Sequence, residues 1–471
     1  MSLQSFAASL GQVAEALQRT RNVLRARLDY LFFVYGTAAR WFGAFVVSVV
    51  LLIGDLLPEP WSSAIFWAGV ALAIFALGEL LYNGVRSFLR WTAVDLEPRK
   101  LPFDWRGAQW TDTGRIVPIS TGVSPELAWQ SPEVDDLLRA KPAFISDPQG
   151  SLESDRFRLP DTLTEIGGRS LRHRSARRGD GSTRRLPPAR FNGRLVRLAA
   201  EPTPRTLTSG ELVFQHVRYY DGESSNEVWP LTYSHGARAG RSPVEPFVVD
   251  RERRLLSLDQ ARAGNILGIS LFAVTRDDQI ILVRQSPRNS VSPGAFASSS
   301  SGSADPEDFG WHLPSPQRER RALAGVMTGM LRELTEESRV RRDEVIDATA
   351  TVTGYFRWLD RAAKPEFTGL VRLRVASEEL SSRAFTGGES AFTVDLGFLP
   401  LAFAIAEASS WRADPSPPAK RQAAAVERFV ADVQQRYPGA TVSPSCVGAW
   451  CAAIDFLAAR PEWLVESAAA R

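Results

Sequence analysis

The sequence predicts a membrane α-helical hairpin followed by a cytoplasmic α/β domain with a mixed sheet and extra C-terminal helices. Three observations predict it. Two apolar runs, Trp41 to Leu57 and Trp61 to Tyr82, are joined only by Pro58-Glu59-Pro60. From residue 191 to residue 410, alternating apolar segments are divided by turn residues, the pattern of strands. Further on, Leu401 to Ser409, Lys420 to Tyr437 and Ser445 to Ala459 show helical spacing.

With 471 residues, 44% of them hydrophobic and 10% aromatic, the chain can build more than one core. A net charge of +3 is too small for bulk charge to imply nucleic-acid binding. Cys446 and Cys451 are five apart, a spacing of neither a disulfide framework nor a zinc site. The scattered His173, His216, His235 and His312 argue against a histidine metal site.

Residues 1–40 begin with an amphipathic helix over residues 4 to 28, whose polar side turns basic at Arg19, Arg21, Arg25 and Arg27. The hairpin then occupies residues 41–82, each run matching roughly 30 Å of hydrocarbon. Arginines flank both outer ends, while only Asp55 and Glu59 lie by the turn. By the positive-inside rule both termini are cytoplasmic, in a multi-pass inner-membrane protein with the lipid bilayer as a partner. Residues 83–190 are a linker and N-terminal cytoplasmic region, with a short helix over Ser124 to Arg139. Its arginine-rich stretch, Gly167 to Arg190, suits either an anionic-ligand loop or a solvated linker.

In residues 191–410, strands are expected at Asn192 to Leu198, Glu211 to Tyr220 and Glu227 to Tyr233, with a short helix over Ser257 to Ala263. A hairpin of Ile266 to Thr275 and Gln279 to Arg284 turns at Arg276-Asp277-Asp278. Past the loop Ser298 to Asp308, a helix from Gln317 to Val340 carries Leu323, Val326, Met327, Met330, Leu331 and Leu334 on its apolar face. Ala348 to Leu359, Phe367 to Ala376 and Ala391 to Leu396 are further strands, the first two joined by a turn at Lys364-Pro365-Glu366. Residues 411–471 supply the C-terminal helices.

On the helix, Arg332-Glu333-Leu334-Thr335-Glu336-Glu337 gathers Glu333, Glu336 and Glu337 at i, i+3 and i+4. Oxygen ligands so placed suit Mg²⁺ or Mn²⁺, which in turn hold phosphates. The same pattern also suits a solvated acidic face with Arg332 paired to Glu336.

The order of hairpin, loop, helix ending in R-E-L-T-E-E and further strands resembles a Nudix domain, whose motif is G-x5-E-x7-R-E-U-x-E-E-x-G-U. Arg332, Glu333, Leu334, Glu336, Glu337 and Val340 match its second half. Ser292 to Phe296 and Ser301-Gly302 look like its lead-in. The first motif glycine falls on Arg318, the first glutamate on Ala324 and the last glycine on Arg339. This resemblance implies an α-β-α sandwich with Glu333, Glu336 and Glu337 as metal ligands, and as the catalytic set if the domain is active. The cofactor would be Mg²⁺ or Mn²⁺, if there is one. Glu378, Glu379 and Glu389 are candidate bases. Because the motif is degraded, sensing is expected over hydrolysis.

With the hairpin, the chain resembles the membrane-anchored Nudix effectors of cyclic-oligonucleotide anti-phage signalling in bacteria (CBASS). That resemblance implies an antiviral effector that binds a cyclic nucleotide made by a cyclase, forms homo-oligomers and disrupts the inner membrane. Arg284, Arg288, Phe296, Arg357, Trp358 and Lys364 are its expected ligand contacts. The competing expectation is a membrane-anchored, Mg²⁺-dependent hydrolase of nucleoside diphosphate derivatives.

Overall fold

The structure is a computed structural model. It describes residues 42–48, 61–93, 96–99, 115–120, 125–140, 144–145, 156–164, 166–167, 192–209, 211–287, 292–311, 322–384, 393–414 and 418–470. The expected amphipathic helix of residues 1–40, nearly all of the arginine-rich stretch, Arg288 and Glu389 lie outside these residues.

The membrane hairpin is corrected. Among the described residues no helix is long and apolar enough to cross a membrane. The second apolar run does not end at Tyr82 but belongs to a 33-residue helix, Trp61–Ala93, that continues through Arg86 and Arg90. Helical structure in the first run is described for residues 42–48. A span needs about 20 consecutive apolar residues. The multi-pass inner-membrane location and its two-sided topology fall with the hairpin. What stands is an α/β protein with a mixed, many-stranded sheet.

The chain divides into two compact units. One comprises Met1–Leu101, Pro160–Gly193 and Tyr219–Pro243. Within it, Leu96–Pro98 pairs antiparallel with Leu231–Tyr233 over a small core of Leu96, Ile166, Val228 and Leu231. Arg99 lies 4.5 Å from the Trp229 ring centroid. Glu227 to Tyr233, expected as one strand, divides into a 3-10 turn at Asn226–Val228 and the strand Leu231–Tyr233.

The other unit comprises Pro102–Leu159, Arg194–Arg218 and Val244–Arg471, and holds a nine-stranded sheet. Its strands are β1 (Arg115–Ser120), β2 (Pro125–Gln130), β3 (Gly268–Val274), β4 (Gln279–Gln285), β5 (Phe296–Ala297), β6 (Ser300–Ser303), β7 (Val345–Trp358), β8 (Lys364–Leu373) and β9 (Thr393–Pro400). The spatial order is β5-β4-β3-β8-β7-β2-β1, with β6 added to β3 and β9 to β4. Only the central pair β3 and β8 is parallel; the other pairings are antiparallel.

All seven residues of β3 are buried, as a strand covered on both faces must be. Side chains alternate across the sheet. Ile269 approaches the helix α2 (Ala322–Glu337), where a Cβ built at Gly329 would lie 3.0 Å from its Cδ1; on the same face Leu271 lies beside Gly369 of β8, where a built Cβ would meet Leu271 Cδ1 at 2.9 Å and Met330 Sδ of α2 at 2.7 Å. Phe272 and Val274 instead join the core built with α3 (Leu401–Ala413), α4 (Pro418–Arg436) and α5 (Pro444–Ala459). There Trp450 stacks on Phe429 at 4.4 Å, with Phe272 edge-on at 6.1 Å. Ser443 starts α5 by accepting from Cys446 N–H at 3.2 Å, ahead of Pro444.

Two local expectations fail for tertiary reasons. The helix expected from Ser124 begins at Pro132 instead, because residues 125–130 are spent on pairing with β1 and β7. A second Ser-Pro, Ser131-Pro132, opens this helix, α1 (Pro132–Ala140), with Ser131 Oγ 3.4 Å from Val134 N. The helix expected over Ser257 to Ala263 is a set of turns. There the carbonyls of Leu258 and Ala261 accept from Arg197 Nη2, at 3.1 Å and 2.9 Å.

Candidate functional site

Helix α2 brings Glu333, Glu336 and Glu337 to one end, beside β6 and the 3-10 turn Pro306–Phe309. Their centre is Arg332. Its Nη1 donates to Glu333 Oε1 at 3.0 Å and to Glu336 Oε2 at 3.1 Å. Its Nε and Nη2 donate to the two oxygens of Asp308, at 2.9 Å and 3.1 Å, and Nη2 also to the Ser303 carbonyl at 3.1 Å. Asp305 Oδ2 lies 3.7 Å away. Glu337 turns elsewhere and accepts from Ser301 N–H at 2.8 Å.

Four carboxylates, those of Asp305, Asp308, Glu333 and Glu336, therefore share one guanidinium. Burial pushes the Glu333 carboxyl up to about 7; the Arg332 charge opposes this, and Glu336 and Asp305 add to it. Asp305 rises to about 6, again through burial first. Among the described residues, these four carboxyl groups outnumber the one guanidinium that pairs with them.

Glycines make the packing possible. A Cβ at Gly302 would lie 2.3 Å from Glu333 Oε1, so only a bare backbone fits beneath that carboxylate. On α2, Cβ atoms at Gly325 and Gly329 would lie 2.3 Å from Phe309 Cδ1 and 2.7 Å from Asp308 Oδ2. Helix-interior glycine costs roughly 1 kcal/mol relative to alanine, which the seating of this turn offsets. Arg339, where the motif has its last glycine, has φ 62°, the left-handed conformation that glycine adopts freely.

The donor set suits Mg²⁺ or Mn²⁺, hard cations that take oxygen ligands. The excess charge and the cradle at Gly302 agree with it. Among the described residues, however, no three His, Cys, Asp or Glu side chains form a group that could hold a metal ion. Arg332 Nη1, bonded to both Glu333 and Glu336, lies between two of the expected ligands.

Among the described residues, the expected ligand contacts do not gather on one surface. Arg284 is exposed on β4, opposite Asp395 of β9. Phe296 is buried, its ring 4.8 Å from that of Tyr437. Arg357 is wholly buried, donating to Glu201 Oε2 at 2.8 Å and to the Ala363 carbonyl at 2.7 Å. Trp358 is buried with Nε1 donating to Glu366 Oε2 at 2.7 Å. Lys364, expected in a turn, is a buried residue of β8 opposite Trp358. Of the candidate bases, Glu378 and Glu379 sit on the short helix Ser377–Ser382, and Glu379 pairs with Arg276 at 3.1 Å.

Asp305 and Asp308 were not singled out by sequence reasoning. The signal was there in Asp305-Pro306-Glu307-Asp308, the composition of a capped helical turn.

No family model matches the chain, and no curated protein matches it. Among solved structures, the chain is similar to DR0079 from Deinococcus radiodurans, at 17% identity over 35% of this chain and 87% of that one. The TM-score is 0.20, too low to carry an argument about fold or function.

Proposed function

We propose that the larger unit is a Nudix-like module that binds the phosphates of a nucleotide, with a cyclic oligonucleotide as the foremost candidate. The observation that carries this is the charge imbalance of the α2 cluster, in which, among the described residues, Asp305, Asp308, Glu333 and Glu336 share the one cation Arg332. A cation offsets such an imbalance and gives phosphate oxygens something to bind. Among the described residues, Glu333, Glu336 and Glu337 do not form a metal-holding group as they stand, Glu337 being turned to Ser301 N–H; they would have to converge to hold Mg²⁺ or Mn²⁺, which would supply positive charge to those oxygens. Arg332 keeps Glu333 and Glu336 together, and Gly302 gives Glu333 its place. In the setting implied by the resemblance, a nucleotide cyclase supplies the ligand, and binding favours an assembled state over the free chain. A membrane output is no part of this reading.

One observation favours hydrolysis of nucleoside diphosphate derivatives as a second reading. Glu333, with its carboxyl at about 7, can accept a proton near neutral pH, as a general base must. Titration of the full chain with Mn²⁺, followed by electron paramagnetic resonance, tests the cation site. Addition of cyclic di- and trinucleotides, and separately of nucleoside diphosphate derivatives, then tests the ligand. Mn²⁺-dependent binding of a cyclic species without product is the expected result. Release of a mononucleotide, abolished by Glu336→Gln, would establish the hydrolase in its place. Absence of binding to either class would overturn both.

A further inference from the structure

Among the described residues, β9 pairs with β4 alone, so its other side is an edge of the sheet. The register shows which backbone groups that edge presents. Ile281 of β4 stands opposite Phe398, and its carbonyl accepts from Ser299 Oγ at 2.6 Å. The same Oγ accepts from Ala273 N–H of β3 at 2.7 Å, so Ile281 turns towards β3 and away from β9. Opposite residues of an antiparallel pair either bond each other or both turn away. Phe398 therefore points its N–H and carbonyl outward, as do Leu396 and Pro400, two residues to either side.

An edge of this kind is a template for pairing with another chain. Part of it is disarmed within the strand. Leu396 N–H donates to Asp395 Oδ1 at 2.8 Å, and Pro400 has no N–H to offer. Val394 is the extra residue of a bulge, since Asp395 faces Arg284 while Thr393 faces Gln285. Phe398 is closed from elsewhere. The hydroxyl of Tyr437, just past α4, accepts from Phe398 N–H at 2.7 Å and lies 3.4 Å from the Phe398 carbonyl. One hydroxyl, both acceptor and donor, thus stands where a neighbouring strand would. Gly397 makes the room: a Cβ there would lie 3.2 Å from the Tyr437 oxygen and 2.9 Å from Phe296 Cε1.

We infer that the β9 edge is a self-pairing surface held shut by the Tyr437 hydroxyl. The occupant it fits is the same edge of a second copy of this chain. A two-fold axis sets a strand antiparallel to itself, so identical edges are complementary. With the hydroxyl withdrawn, Phe398 regains both its groups, and the exposed Asp395 side chain is free to swing off Leu396 N–H. The inference does not depend on what the α2 cluster binds.

Hydrogen exchange resolved at Phe398 and sedimentation velocity at several concentrations, both on the full chain, test it. Tyr437→Phe removes the hydroxyl and keeps the ring, whose centroid lies 4.8 Å from that of Phe296. Phe398 N–H should then exchange about tenfold faster, and the chain should self-associate about tenfold more tightly than the unaltered chain, the scale of one hydrogen bond. Adding Val394→Lys, a charge at a position 52% exposed, should return self-association to the unaltered level. Equal self-association in Tyr437→Phe and the unaltered chain would overturn the inference and leave the hydroxyl merely structural, whatever the change in stability. Unchanged exchange at Phe398 would overturn it too. So would a tighter association that Val394→Lys leaves in place, since the contact would then lie off the β9 edge.

Discussion

Arg357 Nη1 lies 2.8 Å from Glu201 Oε2, and both side chains are buried, at 0% and 4% exposure. Tyr355 donates its hydroxyl to the other Glu201 oxygen at 2.9 Å, and Leu258 N–H adds a longer bond of 3.3 Å to Oε2. The pair ties β7 to the segment after Arg194–Leu198, within the larger unit. Burial pushes the Glu201 carboxyl up and the Arg357 charge pulls it down. Removing one partner leaves the other buried without compensation, at a cost of about 3–5 kcal/mol. Arg357→Met and Glu201→Gln should each lower stability by that order in urea unfolding. Neither should change Mn²⁺ affinity at the α2 cluster, and a matching loss of affinity would return Arg357 to the ligand site.

Asp135 predicts a pH dependence. Its carboxyl is buried, accepts from Tyr355 N–H at 2.7 Å, and is pushed from 3.8 to about 8 by burial, with Arg139 opposing. In the folded chain it therefore keeps its proton over a range where the unfolded chain has released it. Since the folded state then binds more protons, this group's contribution to stability falls as pH rises from about 4 to about 8. Asp135→Asn keeps the acceptor and has no proton to lose. Unfolding midpoints measured from pH 5 to pH 8 should decline less steeply in the variant than in the unaltered chain.

Cation binding at the proposed site should strengthen with pH. A carboxyl near 7 is largely protonated one unit below, and a metal ligand must be deprotonated. Mn²⁺ affinity should rise between about pH 6 and about pH 8, with proton release on binding. Glu333→Gln should bind more weakly and lose most of that pH dependence. A pH-independent affinity in the unaltered chain would exclude Glu333 as a ligand.

A side chain at Gly302 should displace the Glu333 carboxylate. Alanine there would place its Cβ 2.3 Å from Glu333 Oε1 and 2.4 Å from Glu333 Cδ. Glu333 must move, so Gly302→Ala should weaken Mn²⁺ binding by about tenfold or more. Gly236, whose built Cβ meets nothing within 4 Å, serves as the comparison, although its φ of +78° adds local strain. Equal Mn²⁺ affinities in the two alanine variants would remove the cradle from the account.

The C-terminal helices should prove indispensable to the sheet. Trp450 is fully buried between Phe429 and Phe403, at 4.4 Å and 5.7 Å, with Phe272 of β3 edge-on. Trp450→Ala should cost about 3–5 kcal/mol in denaturant unfolding, the range for deleting a large aromatic from a core. A loss under about 1 kcal/mol would mean that α5 packs independently of the sheet.

Local pattern by itself determined much of this protein. The runs Ile266 to Thr275 and Gln279 to Arg284, parted by the turn residues Arg276-Asp277-Asp278, read as two strands, and β3 and β4 are these strands. Helical spacing marked α2 and three of the four described C-terminal helices, the short Glu462–Ala469 being the exception, because the 3.6-residue period survives whatever packs against it. R-E-L-T-E-E placed three glutamates at one helix end for the same reason. Only the tertiary structure decided what those residues meet. Asp308 arrives at Arg332 from 24 residues away, through a notch visible in the sequence merely as two glycines. Arg357, Trp358 and Lys364 read as cleft residues because charge and aromaticity suggest ligand contact, yet Arg357 is buried against Glu201, 156 residues away, and Trp358 against Glu366 of the neighbouring strand. The membrane hairpin was inferred from apolar composition. The helix Trp61–Ala93 instead continues through Arg86 and Arg90, and among the described residues no helix meets the length and apolarity that a bilayer demands. Composition sets which faces avoid water; the fold sets which neighbours cover them.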